Sequence, residues 1–558
     1  MVILSFVVFS IIVGIITFMK TKENNLETSE GYFLGGRSLN GKVIAGSLLL
    51  TNLSAVSFIG MSAQAYSDNM SVMGWEVVSG LTLVIVGLVL LPKYLKQGIT
   101  TIPEFIESRF DKQTCMFVTI LFLISYIVNQ LPIVLYSGAV AMGQMFDIES
   151  MFNISYNQSI WLMVWVIGII GSIYAIFGGL KAVAVSDTIN GIILIVGGLL
   201  VPFFAVLYLG DGSLIDGFKV FLTSTPAKFN SIGKSTDPLP FSTLFTGLIL
   251  VNLYFWGTDQ SIIQRALGAE NLKEGQKGLF YAGFLKIVAP VIVIIPGILA
   301  FQIFKGSISN ADIIYPRLVN VVLPKPLVGI FATSMMGATL STFNSVLNSA
   351  STLFALNIYK PLFGKNKSDL EIIKIGKIFG TVIAILSMFG APFIMNAPKG
   401  LFEYVQTING FFNVPIFTII FMGYFAKRVP AIAAKISITF FVVTYGITQL
   451  FWNTGLHFLH ISAILFIISC IIMLVIGKMY PNKEEFIIKE NKSIDLVPWA
   501  NRFKVGGLVV FVMLAAYVVF SPIGLASENG IGAPFYISLI AMGAVCYFIS
   551  KICEKKFS

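Results

Sequence analysis

Long apolar runs dominate this chain and constrain its fold more than any other feature. There are fifteen runs, and most are about 20 residues long, enough for a helix to cross a hydrocarbon core about 30 Å thick. They lie at about 1–19, 43–66, 73–95, 114–143, 158–178, 182–209, 240–262, 276–305, 327–357, 372–397, 401–426, 430–453, 457–479, 504–525 and 531–552. With 56% hydrophobic and 11% charged residues, a soluble domain of this length is excluded. The runs therefore predict an all-α membrane protein with about fifteen transmembrane helices.

The basic residues predict how these helices are oriented. Net charge is +10, but the charges sit in short loops between apolar runs rather than on one face, so we expect no nucleic-acid partner. Most of the 37 Lys and Arg residues fall in alternate loops when all fifteen runs cross the bilayer. Cytoplasmic loops carry the excess of such residues. We therefore expect the N-terminus outside, the C-terminus in the cytoplasm and the chain in the cell (cytoplasmic) membrane.

Two runs carry polar residues in their middle and predict interrupted helices. These are Thr51–Ala55 in the second run and Asn252–Asp259 in the seventh. Because they are five runs apart, residues 43–209 and 240–427 would form two five-helix units of opposite orientation, preceded by an extra helix and loop at 1–42 and followed by accessory helices at 428–558. Paired interrupted helices in inverted repeats mark the solute site of many secondary transporters. Polar contacts between packed helices are the alternative interpretation.

Ionisable residues inside apolar runs identify candidate site positions, because each costs about 2.5–3.5 kcal/mol even on the lenient insertion scale. Lys286 is the clearest, about ten residues into its run. Glu76 lies near the outer end of another run with Ser79 on the same helical face, and Asp187 lies near an inner end. A structural ion pair for Lys286 and interfacial positions for the two acids are the alternatives.

A hydroxyl cluster in the ninth run indicates a cation site. Ser341 and Ser345 are four residues apart, and Thr342 flanks them. Hydroxyl and carbonyl oxygens can replace the water shell of Na⁺, and the interrupted second run could supply carbonyls. The alternative is that these hydroxyls bond back to carbonyls of their own helix.

Several short motifs, in this order and spacing, resemble the solute:sodium symporter family, and within it the sodium/glucose–galactose branch. The resemblance covers about residues 30–480. It is carried by Thr51-Asn52-Leu53-Ser54-Ala55, Phe58-Ile59-Gly60-Met61, Thr101-Ile102-Pro103-Glu104-Phe105, Gly178-Gly179-Leu180 through Asp187, Asn252-Leu253-Tyr254, Trp256-Gly257, Ile263-Gln264-Arg265, Asn348-Ser349 and Asn357-Ile358-Tyr359-Lys360. It implies a LeuT-like core of inverted five-helix repeats, with sodium as the coupled ion and no enzymatic activity.

The resemblance also implies site residues. Sodium would bind the carbonyls of Leu50, Leu53 and Ala338 and the hydroxyls of Ser341 and Thr342, and a second ion or an exit path would involve Asp187, Asn344 and Ser345. A sugar would contact polar side chains of several spans, namely Asn52, Glu76, Ser79, Asn252, Lys286 and Gln406. Aromatic faces and gates would come from Trp75, Tyr126, Phe255, Trp256 and Phe402.

This sequence departs from the family pattern at several of these positions. Ser57 stands where a bacterial galactose transporter has Gln, Gln130 replaces Asn, and Trp75 and Phe255 replace tyrosines. The fifteenth run exceeds the fourteen spans usual for the sugar branch. We therefore expect a sodium symporter for a glucose- or galactose-like hexose, with no obligate protein partner. The alternatives are a sodium symporter for myo-inositol, a sialic acid or an amino acid, a sodium channel, a membrane sugar sensor, or a facilitator that uses a proton.

Overall fold

The computed structural model describes residues 1–21, 39–99, 101–177, 179–364, 367–396, 400–488, 490–491 and 494–557. All fifteen predicted runs are helical over most of their length, and the described residues contain no β-strand. Twelve of the described helical segments are long and apolar enough to cross a membrane. The first run and the two interrupted runs supply the other three predicted crossings.

The helices are numbered after the fifteen runs, with halves a and b where a run is broken. They are α1 (Val2–Thr21), α2a (Gly41–Asn52), α2b (Ala55–Ser67), α3 (Met70–Gln97), α4 (Lys112–Met145), α5 (Tyr156–Phe177), α6 (Gly179–Leu209), α7a (Gly247–Gly257), α7b (Gln260–Leu267), α8 (Leu272–Phe304), α9 (Lys325–Phe363), α10 (Asp369–Gly390), α11a (Gly400–Asn409), α11b (Asn413–Phe425), α12 (Ala431–Leu450), α13 (Phe458–Met479), α14 (Arg502–Val519) and α15 (Ala533–Phe557). Shorter helices at Ile102–Arg109, Ile148–Phe152, Leu214–Ser224 and Ile314–Val322 connect them.

Both predicted interruptions are present. The second run leaves helical geometry at Leu53 and Ser54, where ψ is 89° and 170°. The seventh run breaks at Thr258 and Asp259, at the end of the predicted stretch. The prediction was wrong for Asn252 through Gly257, which remain helical in α7a because an apolar helix tolerates a single amide that can bond back to its own backbone.

Within the described residues, three spans contain a short π-helical segment, and a proline follows each. The segments are Val86–Leu90 in α3, Tyr126–Gln130 in α4 and Phe354–Tyr359 in α9. The prolines are Pro92, Pro132 and Pro361. A proline in a helix removes an N–H and clashes with the carbonyl four residues earlier, so the preceding turn widens. Such widened turns turn side chains out of the regular register and are frequent at functional sites.

The interrupted helices lie inside the bundle. The first half of α8 packs against α2a and α3, and α9 packs against α1, α4 and α6. On the other side, α14 packs against α15 and α8. The polar residues of α2, α3, α7 and α8 therefore face each other at the centre of the protein.

Candidate functional site

Lys286 lies at the centre of a buried polar cluster. Its ammonium forms an ion pair with the Glu76 carboxylate, and only 2% of the Lys286 side chain and 3% of the Glu76 side chain are exposed. The same Nζ donates a hydrogen bond to Oδ1 of Asn52, the last residue of α2a. A charge taken out of water needs a partner at this depth, and the alternative interpretation of the sequence gave Lys286 such an ion pair. The contacts join α2a, α3 and α8.

A second pair of polar side chains lies beside this cluster. The Ser79 hydroxyl donates to Oδ1 of Asn252 at 3.0 Å, which joins α3 to α7a. The Asn252 amide nitrogen donates to the Leu248 carbonyl at 3.1 Å within its own helix. Ser79 and Asn252 are both buried. The structure thus brings together five of the six polar residues implied for a sugar, from four different spans.

Aromatic rings surround these polar groups. The Lys286 ammonium lies 5.8 Å from the ring centre of Trp256, which packs edge-on against Phe255 at 5.0 Å. Trp75, next to Glu76 in the chain, packs edge-on against Phe402 of α11a with ring centres 5.7 Å apart. Phe402 also covers Gly60 so closely that a Cβ there would lie 2.9 Å from its side chain. A glycine at 60 therefore lets α11a approach α2b.

Four other predicted residues form no hydrogen bond with the cluster's side chains in the described structure. Tyr126 lies in the π-helical turn of α4, fully buried, and its hydroxyl has no partner among the described residues. Gln130 and Gln406 are half-buried, and within the described part of the chain neither bonds to the cluster. The Ser57 hydroxyl donates to the Asn52 carbonyl at 3.3 Å.

Asn129 was missed by the sequence interpretation, which selected its neighbour Gln130. Its side-chain amide is buried and donates to Oδ1 of Asn409 at 2.7 Å, which joins α4 to the end of α11a. The signal that could have found it is Pro132. A proline in a span widens the turn before it, so the side chain that faces inward shifts by one position.

Backbone and hydroxyl oxygens of the predicted sodium site lie on α2 and α9, which pack against each other. At the break in α2, the amides of Ser57 and Phe58 both donate to the Ser54 carbonyl, which leaves the Leu53 carbonyl without a donor among the described residues. On α9, the Thr342 hydroxyl donates to the Ala338 carbonyl at 2.9 Å, as the alternative interpretation predicted for this cluster. Ser341 is half-buried and has no such bond in the described structure.

The positions implied for a second ion differ in how far they are described. Asn344 is fully buried, and neither atom of its amide has a partner among the described residues. Ser345 is half-buried one residue further along α9. Asp187 belongs to α6, but its side chain lies outside the described part of the structure, as does that of Leu50. Within that part, no group of three or more His, Cys, Asp or Glu side chains could hold a metal ion.

An all-helical membrane bundle with two interrupted helices around a buried polar cluster defines a secondary transporter of the LeuT-like class. The fold supports this class. A Na⁺-coupled sialic acid symporter, solved in a substrate-bound outward-open state, superimposes with a TM-score of 0.70 at 21% identity, over 87% of this chain and 98% of that one. The nucleobase-cation symporter Mhp1 in an inward-facing conformation superimposes with a TM-score of 0.53 at 15% identity, over 80% of this chain and 92% of that one.

The chain belongs to the sodium:solute symporter family, whose model matches residues 32–439. An uncharacterized symporter of Escherichia coli (strain K12), YidK, is 44% identical over 99% of this chain and 94% of its own length. The sodium/glucose cotransporter of Vibrio parahaemolyticus is 32% identical over 77% of this chain and 81% of its own length. Family membership supports sodium as the coupled ion and a small molecule as the solute, in a multi-pass membrane protein that is a transporter and not an enzyme.

Proposed function

We propose that this symporter imports a neutral, hydroxyl-rich solute of hexose size, such as glucose or galactose, together with sodium. The observation that carries the proposal is the Glu76–Lys286 ion pair with Asn52 on the same ammonium. A carboxylate, an ammonium and an amide oxygen together offer donors and acceptors to neighbouring hydroxyl groups of one sugar. Its similarity to the sodium/glucose cotransporter of Vibrio parahaemolyticus agrees with this class of solute.

The charge balance of the cluster argues against an anionic solute. The Lys286 ammonium is already paired with a carboxylate, so a sialic acid or an amino acid carboxylate would have to displace Glu76. That displacement would leave Glu76 buried without its partner, which costs several kcal/mol. A neutral polyol inserts hydroxyl groups without removing either charge.

For sodium, we propose the carbonyls of Leu50, Leu53 and Ala338 with the hydroxyls of Ser341 and Thr342. Among the described residues, the Leu53 carbonyl has no donor and the Ser341 hydroxyl makes no bond back to its own helix, and both observations support this set. A cation there would join the broken second helix to α9. Asp187, Asn344 and Ser345 form a second ion position or an exit path in this proposal, and the Asn344 amide, which has no partner among the described residues, supports it.

The transport cycle follows from these two neighbouring sites. Sodium from outside fixes α2 against α9 and stabilises the state that binds solute. The solute then enters beneath Phe402 and Trp75, and the two five-helix units, 43–209 and 240–427, rock to expose both ligands to the cytoplasm. Each sodium ion that crosses 100 mV contributes about 2.3 kcal/mol, which corresponds to roughly 45-fold accumulation. This direction assumes the N-terminus outside, the C-terminus inside and a place in the cell membrane.

Uptake into proteoliposomes tests the proposal. Purified protein is assayed with radiolabelled glucose, galactose and sialic acid, with an inward sodium gradient or with potassium in its place. We expect uptake of a hexose that needs sodium and rises when a potassium diffusion potential makes the interior negative. Hexose uptake that ignores sodium, or uptake of sialic acid alone, contradicts the proposal.

myo-Inositol is the second candidate, because it is also a neutral polyol of six carbons. The human sodium/myo-inositol cotransporter is 28% identical over 75% of this chain and 62% of its own length. The same assay with labelled myo-inositol decides between two kinds of solute. One is a hexose, whose ring contains an oxygen and an anomeric centre, and the other is a carbocycle. Competition of each unlabelled solute against the other's uptake ranks them.

A further inference from the structure

Asp312 is a buried carboxylate that neither the solute site nor the sodium site uses. It lies in a short helical turn, Ala311–Ile313, in the loop between α8 and α9, and only 8% of the residue is exposed. Its carboxylate accepts a hydrogen bond from the Tyr136 hydroxyl at 3.3 Å, and the backbone N–H of Leu401 lies close enough to lower the pKa of this carboxyl. Burial raises the pKa of the Asp312 carboxyl, and these two donors oppose the rise. Asp312 is therefore an acidic side chain that the fold buries against a polar partner.

The loop that carries Asp312 is fixed to α2b at two points. The Ile308 amide donates to the Tyr66 hydroxyl at 2.9 Å, and the Tyr315 ring packs edge-on against Phe58 at 5.1 Å. The turn itself contacts α2b, α4 and α11a. Asp312 therefore extends from a loop anchored on α2b and α4 to the first turn of α11a.

Leu401 is the residue before Phe402, which packs on Trp75, the neighbour of Glu76 in the chain. Phe402 also packs against Gly60, and Ser57 lies one turn below Gly60 on the same face of α2b. A carboxylate near the first turn of a helix is also attracted by the positive end of the helix dipole. The contact of the Asp312 turn with the first turn of α11a therefore bears on where Phe402 sits against α2b.

We propose that Asp312 is a positioning residue that holds the start of α11a, and with it Phe402, closed over the solute site. In the state described, its hydrogen bond from Tyr136 and the contact of its turn with the start of α11a join the outer loop, α4 and α11a. Opening the outer side requires α11a to leave Asp312. The inference rests on the proposed function only in calling the space below Phe402 a solute site, because closure itself can be measured without any solute.

The test measures how fast a cysteine below Phe402 reacts from outside. Ser57→Cys is placed in a chain whose four cysteines are replaced by alanine, and intact cells are treated with a membrane-impermeant thiol reagent in sodium medium. The exposed Ser224→Cys provides the reference rate from the same side. We expect Asp312→Ala to speed the relative labelling of Ser57→Cys by about tenfold, the effect of one lost hydrogen bond to a charged group. Asp312→Asn, which keeps an acceptor oxygen, should have a smaller effect.

Two controls keep the test decisive. Asp216→Ala removes an exposed carboxylate from another loop at the same end and should leave the labelling rate unchanged. Tyr136→Phe removes one donor to Asp312 without removing the charge, so it replaces Asp312→Ala if that variant fails to purify as a monodisperse protein. Equal labelling in the Asp312, Tyr136 and Asp216 variants overturns the proposal. Failure of hexose uptake in the unmodified protein overturns only the proposed function.

Discussion

The two interrupted helices occupy equivalent places in the chain but satisfy their broken backbones differently. At the α7 break, the Asp259 carboxylate accepts from the Ser261 amide at 2.9 Å and the Ser261 hydroxyl at 2.6 Å. The Thr258 hydroxyl donates to the Tyr254 carbonyl at 2.8 Å. The Gly257 carbonyl accepts from the Tyr94 hydroxyl of α3, also at 2.8 Å. Side chains therefore serve both sides of this break.

At the α2 break, side chains form fewer hydrogen bonds with the broken backbone. Ser54, at the N-cap of α2b, makes no capping hydrogen bond with its side chain, and the Leu53 carbonyl has no donor in the described structure. Asn52 uses its side chain on Lys286 instead of on the backbone. Irregular backbone is tolerated within a membrane only where it is buried in protein or lines a polar cavity. The difference indicates that side chains hold the α7 break in place, whereas the α2 break keeps a carbonyl without a donor in the described structure, as the proposed sodium site requires.

Replacing Lys286 should have the largest effect, because it removes the side chain that occupies the solute end of the α2 break. Lys286→Ala leaves Glu76 buried without a partner, which we expect to destabilise the protein by about 3–5 kcal/mol. Solute uptake should be abolished while sodium still protects the protein against thermal unfolding. Uptake and the thermal midpoint in detergent, with and without sodium, are the measurements.

Lys277→Ala is the matched control on the same helix. Lys277 pairs with Glu274 at 2.7 Å, but about a quarter of its side chain is exposed. Pairs near the surface contribute about 1 kcal/mol or less, so uptake should persist. Retained uptake in Lys286→Ala would show that the α2 break does not hold the solute.

The positions of the two breaks could be predicted from the sequence, but the hydrogen bonds that cap the helix ends at each break could not. Apolar run length predicted the fifteen helices because a bilayer imposes one length on every crossing. Polar residues in mid-span predicted the breaks, and the resemblance to the symporter family implied the grouping of Glu76, Lys286 and Asn52. Which side chains bond to one another depends on helix rotation, which proline-widened turns alter, and so Asn129 was missed. Asp312 was missed because a loop carboxylate has no cost until folding buries it.

Asp259→Ala should have the next largest effect and should act on stability. It removes the buried cap of α7b and leaves the Ser261 amide without its acceptor, so we expect a loss of about 2 kcal/mol. Thermal unfolding in detergent measures the loss, and Asp259→Asn, which keeps an acceptor oxygen, should recover most of it. The sodium concentration for half-maximal uptake should change little. A large rise in that concentration would place the α7 break in the sodium site and remove the contrast.

Ser341→Ala should act on sodium instead of on stability. Losing one hydroxyl ligand should raise the sodium concentration for half-maximal uptake about tenfold, which corresponds to about 1.4 kcal/mol. Ser351→Ala on the same helix is the control, because the Ser351 hydroxyl already donates to the Leu347 carbonyl at 2.8 Å. An equal sodium requirement in the two variants would refute the assignment of Ser341.

Tyr94→Phe should have the smallest effect and tests the α7 break most directly. It removes the donor to the Gly257 carbonyl without changing the ring, so the thermal midpoint should fall by the equivalent of about 1 kcal/mol. Tyr517→Phe is the comparison, because the Tyr517 hydroxyl is buried without a partner among the described residues and its loss should not destabilise the protein. If the α7 break only anchors α7 to α3, Tyr94→Phe leaves sodium dependence unchanged. If it shifts sodium dependence as far as Ser341→Ala does, both breaks move with the ion, and the α2 break is not the special one.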